Sequence, residues 1–392
     1  GGGPRNRTAA GRAWVQVTMR IAMLQDDWWP RTGGGPVHVR ELSTALAREY
    51  GHEIDIYTRA LEKEGESYTD TEQFADGAVT LYRVGPCTEY WNPVGRVASM
   101  ATPLPKLRSR EYDIVHGHTF LPALPTRLSP LLTDASTVFT VHGTALTSGV
   151  GRDTSRLAGV KRKIERLFVL SFDYDHVISV NNEHVGLLSE HHPDVSCIPN
   201  GVDLDRFSVD VERGDDILFL GRLAPKKRVS DLIRAFASIE HEVPDSDLVI
   251  VGTGPLEEDL KDLAADLGVD DRVVFEGRVS DDEVTRHYAS AGVFALPSVW
   301  EGHPLTLLEA WAAGAPVVTT SVEGIEEFVE HDQTGYLVPP KSPDELAEGL
   351  RYALENREES LQWGQNGRSL VEAEYSWEGV AASTDALYRE IR

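Results

Sequence analysis

Short apolar runs alternate with amphipathic stretches along most of the chain, the pattern of βαβ units whose strands pair in parallel. In the first half, residues 20–24 predict a strand, a glycine-rich turn follows, 37–49 predict a helix and 53–58 a second strand. Further strands are expected at 114–116, 137–141, 176–180 and 197–199. A polar stretch, 203–215, then looks like a connection between domains. The pattern restarts with a strand at 216–220, helices at 230–239 and 256–267, and strands at 247–251, 273–276, 293–296 and 316–319. The predicted class is α/β, built as two similar doubly wound halves. Ligands of such sheets bind outside the carboxyl ends of the strands, so the cleft between the halves is the expected site.

Composition narrows this picture. The chain of 392 residues is 41% hydrophobic and 26% charged, in the range of ordinary globular domains. No apolar run reaches the ~18 residues of a spanning helix. Two cysteines, Cys87 and Cys197, exclude a disulfide framework or a four-cysteine metal site and point to a reducing cytoplasm. The formal charge of −25 argues against nucleic acid as a partner. The basic residues are 30 Arg to 8 Lys, a skew that, with the acidic balance, resembles proteins of salt-loving organisms. High salt would screen the self-repulsion; an acidic protein from a GC-rich genome is the other reading. Residues 1–18 carry arginines but no apolar signal core, and are expected to be a leader or tag.

Against this acidic background three clusters carry candidate chemistry. Gly33-Gly34-Gly35-Pro36 lies between a strand and a helix, where bare backbone N–H groups can approach a phosphate at a helix start; a plain turn fits the same residues. Gly221-Arg222-Leu223-Ala224-Pro225-Lys226-Lys227-Arg228 follows the strand that opens the second half. An arginine fork and a compact ammonium suit a diphosphate, whereas a solvated basic turn is the alternative. Glu301 and Glu309, with seven residues between them, run from a loop into a helix. One carboxylate can then accept from sugar hydroxyls and the other from a ribose, with N–H groups of the helix start between them.

Taken in order, these residues resemble the retaining nucleotide-sugar glycosyltransferases of family 4. The resemblance runs from Met19 to the end. It is carried by Gly33, Gly34 and His38, by Thr140-Val141-His142-Gly143, and by Ile198-Pro199-Asn200-Gly201-Val202-Asp203. It continues through Gly221-Arg222-Leu223 with Lys227, Val251-Gly252-Thr253-Gly254-Pro255, the Glu301/Glu309 pair, and Tyr375-Ser376-Trp377-Glu378 before a last amphipathic helix. The family implies the GT-B fold, two facing Rossmann-like domains with an interdomain cleft. Residues 19–205 would bind the acceptor, completed by the C-terminal helix 376–392, and residues 206–375 the nucleotide sugar.

The resemblance also implies roles. Arg222 and Lys227 would neutralise the donor diphosphate in place of a metal, and Glu301 would hold the transferred sugar with His142 beside it. Glu309 would hold the ribose, the region of His303, Pro304, Leu305 and Thr306 would meet the donor phosphates, and Gly33 and Gly34 would approach the diphosphate from the first domain. Backbone groups near Val279 would meet the base. No cofactor is implied beyond the donor itself, UDP- or GDP-linked, and the acceptor would be a glycan or lipid-linked glycan of surface-glycan, glycoprotein-glycan or glycolipid assembly. A non-catalytic nucleotide-sugar-binding subunit and an epimerase on the same architecture are the rival readings. Two positions depart from the family pattern. His303 stands where an aromatic residue is frequent, which could alter sugar preference, and Arg228 stands where glycine is frequent.

Metal signals are weak. Asp173-Tyr174-Asp175 and Asp203-Leu204-Asp205 match a bare D-x-D pattern, but their places suggest structural roles. His116-Gly117-His118 has no third ligand at useful spacing, so strand-end packing is expected. Residues 152–168, with Lys161, Arg162, Lys163 and Arg166, and residues 91–110, with Arg96, Lys106, Arg108 and Arg110, suggest either solvated basic faces or peripheral attachment to the cytoplasmic face of an anionic membrane.

Overall fold

A computed structural model describes residues 17–30, 33–142 and 156–392, leaving aside the side chains of 156–162. Gly143, Lys161, Arg162 and the leader as far as residue 16 therefore lie outside the description. The first sheet contains β1 (Arg20–Leu24), β2 (Glu53–Lys63), β3 (Glu66–Tyr68), β4 (Glu72–Phe74), β5 (Val79–Glu89), β6 (Ile114–His118), β7 (Ser136–Val141), β8 (His176–Ser179) and β9 (Val195–Cys197). The second contains β10 (Ile217–Leu220), β11 (Leu248–Val251), β12 (Val273–Gly277), β13 (Val293–Leu296), β14 (Val317–Thr320) and β15 (Tyr336–Val338).

The second sheet is parallel throughout, in the order β12-β11-β10-β13-β14-β15. Helices cover both faces, which is why its strands are continuous apolar runs rather than alternating ones: every residue of β13 is buried. The first sheet follows the order β4-β5-β2-β1-β6-β7-β8-β9, parallel except where β3 pairs with β2 and β4 with β5. Both halves are thus Rossmann-like, and the strand order reverses between β1 and β6 and between β10 and β13. Such reversal points open a crevice at the carboxyl ends of the strands.

Helix Trp377–Ile391 at the end of the chain packs on helix Gly34–Tyr50 of the first half. Trp377, Val380, Ala381 and Tyr388 share a core with Val39, Leu42 and Leu46, and His52 Nε2 meets Asp385 Oδ1 at 2.8 Å. Gly201 makes this crossing possible, since a Cβ there would stand 2.8 Å from the backbone nitrogen of Trp377.

Two features depart from the periodicity. Strands β2 and β5 each run to 11 residues, extended by the antiparallel pieces β3 and β4, which the helix-and-strand alternation does not signal. The strand expected at 197–199 lies instead at Val195–Cys197. Ile198 still donates to Ser179 O at 2.9 Å, but Pro199 has no N–H to extend the ladder. In the two Asp-x-Asp segments, Asp175 accepts from Thr137 N and Oγ1 at 2.7 and 2.8 Å, and Asp203 accepts from Arg206 N at 3.1 Å.

The loops after β10 and β11 touch backbone to backbone. A Cβ on Gly252, whose φ is +127°, would lie 2.0 Å from Gly221 O, and one on Gly254 would lie 2.2 Å from Leu223 O. Leu223 N donates across the same contact to Thr253 O at 3.1 Å. Backbone cannot swing aside as a flexible side chain would. Gly254→Ala is therefore expected to lower stability by at least ~2 kcal/mol, an overpacking cost, measured by urea unfolding. A midpoint equal to that of the wild type would refute the close approach.

Candidate active site

The reversal between β10 and β13 places two loops side by side. Val299 N donates to Lys226 O at 2.9 Å, joining them through the backbone. Lys227 Nζ then donates to Glu301 Oε1 at 2.6 Å, Lys226 Nζ lies 3.5 Å from Oε2, and Ser298 Oγ donates to Oε1 at 2.5 Å. Burial alone would raise the Glu301 carboxyl, but the two lysines and these hydrogen bonds bring it down to about 2. Burial lowers Lys227 against the pull of Glu301, and the pair stands as an ion pair. Two residues singled out by sequence thus touch each other directly.

Arg222 is exposed just after β10, in the same loop as Lys227. Arg228 occupies a left-handed conformation, φ +51°, which explains why glycine would suit the position. Its guanidinium pairs with Asp231 through Nε and Nη2 at 2.8 and 2.7 Å.

Glu301 leads through Gly302, His303 and Pro304 into helix Leu305–Ala312, whose first-turn N–H groups have no side-chain cap. The turn is held from several sides. Gly324, at φ +82°, packs so closely that a Cβ would stand 2.4 Å from the carbonyl oxygens of Glu301 and Gly302. Asn181 Nδ2 donates to Gly302 O at 2.9 Å and Asn200 Nδ2 to His303 O at 2.7 Å, both from the first half of the chain. Glu327 accepts from the backbone of Asn182 and Glu183 at 3.2 and 2.7 Å, and Arg278 Nη1 donates to Pro30 O at 3.0 Å. Several buried polar atoms here have no hydrogen-bond partner among the described residues: Trp300 Nε1, His303 Nδ1 and Thr306 Oγ1. The His303 ring stacks on Phe328 with centroids 4.9 Å apart, and burial pushes its pKa down to about 3.

Glu309 lies within the helix, and its Oε2 accepts from the hydroxyl of the fully buried Tyr288 at 2.9 Å. Burial raises its pKa to about 7, partly offset by Tyr288 and Arg206. Val279 sits apart, half-buried against the core after β12. Across the cleft, Gly34 opens helix Gly34–Tyr50 and faces Leu305, whose Cδ1 would be 3.9 Å from a Cβ there; a Cβ on Gly33 would meet nothing within 4 Å.

His142 ends the run of β7 and joins His38 and His118, with ring centroids 4.5 and 5.6 Å away. The pair His116-Gly117-His118, for which chain spacing offers no third partner, therefore divides. His116 is packed as expected, between Tyr388 Oη at 2.6 Å and Thr140 Oγ1 at 2.7 Å. His118 instead turns toward His142, with Nδ1 and Nε2 3.3 Å apart. Burial, reinforced by neighbouring imidazoles, lowers the pKa of both well below the usual histidine value.

Sequence reasoning missed Tyr288, Asn181 and Gly324, which act on site residues from distant elements. Asn200 stands inside a recognised segment, but its role needed the fold. The basic faces are mixed. Phe168, Val169 and Leu170 of helix Arg156–Leu170 are buried, whereas Ile164 and Leu167 are exposed beside Lys163 and Arg166, as are Trp91, Val94 and Val97 near Arg96.

Residues 32–206 match the model of Glycosyltransferase Family 4 and residues 203–370 that of Glycosyl transferases group 1. An uncharacterized glycosyltransferase of Methanocaldococcus jannaschii is 30% identical over 95% of this chain and 98% of its own length. Among solved structures, sucrose-phosphate synthase from Thermosynechococcus elongatus matches with a TM-score of 0.82 at 23% identity, over 95% of this chain and 99% of its own. HepE of Anabaena, solved with UDP and glucose, matches at 0.76 and 18% identity, over 95% of this chain and 100% of its own. The two matched models, the full-length relative and the two facing parallel sheets agree: this chain belongs to the GT-B glycosyltransferases of family 4.

Proposed function

We propose that this protein transfers a hexose-type sugar from a UDP- or GDP-sugar to an acceptor hydroxyl, with retention of configuration and without a catalytic metal. One observation carries the reading. In a chain of net charge −25, Arg222, Lys226 and Lys227 share the loop that follows β10, and the two lysines meet Glu301 just ahead of the uncapped start of helix Leu305–Ala312, where buried polar atoms have no partner among the described residues. Cations and helix-start N–H groups together suit a diphosphate leaving group, whose charge grows as the glycosidic bond breaks.

The roles are those that the family resemblance implies. Arg222 and Lys227 neutralise the diphosphate, and Lys227 keeps spare N–H donors while paired with Glu301. The backbone around Pro304, Leu305 and Thr306 receives a phosphate, with His303 packed behind it. Glu309 accepts from ribose hydroxyls, Val279 lies toward the base, and Gly33 and Gly34 let the first domain approach. Glu301 and His142 border the transferred sugar. Glu301 is fixed as an ion-paired anion, which suits an acceptor of sugar hydroxyl hydrogen bonds better than a nucleophile. The acceptor attacks on the face from which the diphosphate leaves, and a phosphate oxygen takes its proton.

The acceptor is a glycan or lipid-linked glycan, and the protein works in the cytoplasm, against the membrane surface. Exposed Trp91, Val94 and Val97 beside Arg96, with Ile164 and Leu167 beside Lys163 and Arg166, support that attachment. No helix among the described residues is long and apolar enough to cross a membrane.

The test is nucleotide diphosphate release from UDP- and GDP-sugars, with and without chelator. Chelator-resistant release supports the reading; donor binding without release, even with lipid extract, would favour a non-catalytic subunit. Arg222→Ala should lower kcat by ~100-fold, the scale of losing one charge-stabilising donor; turnover within a few-fold of the wild type would remove Arg222 from this role. Donor affinity should also depend on pH. The free Glu309 carboxyl titrates near 7, and ribose hydroxyls need the carboxylate, so affinity should fall by up to about tenfold per pH unit below that point and level off above it. Glu309→Gln should flatten this slope in calorimetry, and a slope that persists would refute the assignment. Vesicles rich in anionic lipid should retain the wild type and release Trp91→Ser; equal retention would exclude this contact.

A further inference from the structure

One ring nitrogen from each of His38, His118 and His142 lies within 4.8 Å of the other two. Among the described residues no other group of three histidine, cysteine or carboxylate side chains comes together in this way. They arrive from separate elements: helix Gly34–Tyr50, the end of β6 and the residue after β7.

The Asn200 amide fixes the tautomer of His38. Its nitrogen donates to His303 O at 2.7 Å, so its oxygen faces His38 Nδ1 at 2.8 Å and can only accept. The hydrogen of His38 therefore sits on Nδ1. Nε2 is left with a bare lone pair, buried and with no hydrogen-bond partner among the described residues. This is how a metal-ligating imidazole is prepared, one nitrogen donating to a fixed oxygen and the other open to an ion.

The spacing of the other two rings fits as well. Two nitrogens each about 2.05 Å from a tetrahedral zinc stand about 3.3 Å apart, and His118 Nδ1 and His142 Nε2 are separated by 3.3 Å. Without an ion, one of these nitrogens carries a hydrogen and donates to the other. Binding needs this hydrogen to move to the second nitrogen of its ring, which in His118 is Nε2, buried and with no partner among the described residues. His116 does not compete for the ion, because Tyr388 and Thr140 engage both its nitrogens. Three imidazoles without a carboxylate suit zinc and its neighbours rather than magnesium or calcium.

We propose that His38, His118 and His142 form a three-imidazole site for a zinc-type divalent cation, and that filling it blocks sugar transfer. The second half rests on the placement of His142 beside the donor sugar, since the ion would hold that imidazole away from the substrate. The first half rests on geometry alone.

The full chain, stripped of metal, is titrated with Co²⁺, and visible d–d bands saturating at one equivalent and abolished by Zn²⁺ are expected. His118→Gln and His142→Asn, the latter at a partly exposed position, should each bind at least ~10-fold more weakly, since even outer partners of a metal site carry 10–100-fold effects. Circular dichroism confirms that each variant is folded. No saturable binding by the wild type, or undiminished binding by both folded variants, would overturn the site. One equivalent of Zn²⁺ should then lower donor turnover at least ~10-fold, reversibly with chelator; full turnover with the ion bound would overturn the blocking role. If no donor is turned over at all, the transferase reading fails while the cobalt titration still decides the site.

Discussion

The ion pair between Lys227 and Glu301 is the interaction on which the second domain's cleft depends. Removing two charges from water is costly, and their attraction offsets the cost only when geometry and extra hydrogen bonds are good. Here Ser298 supplies such a hydrogen bond, and Lys226 adds a second cation 3.5 Å from the carboxylate. The pair spans the loops after β10 and β13, the strands between which the sheet order reverses. It therefore fixes the basic loop against the start of helix Leu305–Ala312. Losing either partner would leave a buried charge uncompensated, so such a variant would report on folding as much as on chemistry.

The second constraint lies between the domains. Asn181 and Asn200 reach across to the carbonyl oxygens of Gly302 and His303, and Gly324 closes on the same turn from within its own domain. Recognition through carbonyls does not depend on which side chains the turn carries. The backbone of the turn is thus held without reference to the side chain at residue 303, whose ring packs on Phe328. Asn200 uses both ends of its amide, so the orientation of His38 in one domain and the path of residue 303 in the other are coupled.

Much of the fold was legible because parallel strands are buried on both faces and announce themselves as short apolar runs. Val293–Leu296 and Arg20–Leu24 lie where the periodicity predicts. The extensions of β2 and β5 were not legible, because residues such as Arg59 and Lys63 break the apolar pattern that marks a strand. Within the site, Lys227 and Glu301 stand out as charges in unusual contexts, but their contact is a property of strand order and not of spacing. Tyr288 resembles any core tyrosine until its hydroxyl is seen on Glu309. The histidine group was hidden for the same reason: its members are separated by 80 and 24 positions, and only the ordering of β1, β6 and β7 brings them together.

Gly33 and Gly34 differ in kind from the other glycines described above. Gly252, Gly254 and Gly324 are pressed against backbone, so the fold itself forbids a larger residue there. Gly33 is extended and has nothing within 4 Å of a would-be Cβ, and Gly34 would make only an ordinary contact with Leu305. Among the described residues, nothing in the architecture demands their smallness. A methyl group added to this turn would leave the packing of the described residues intact and change only the face that the turn presents to the cleft.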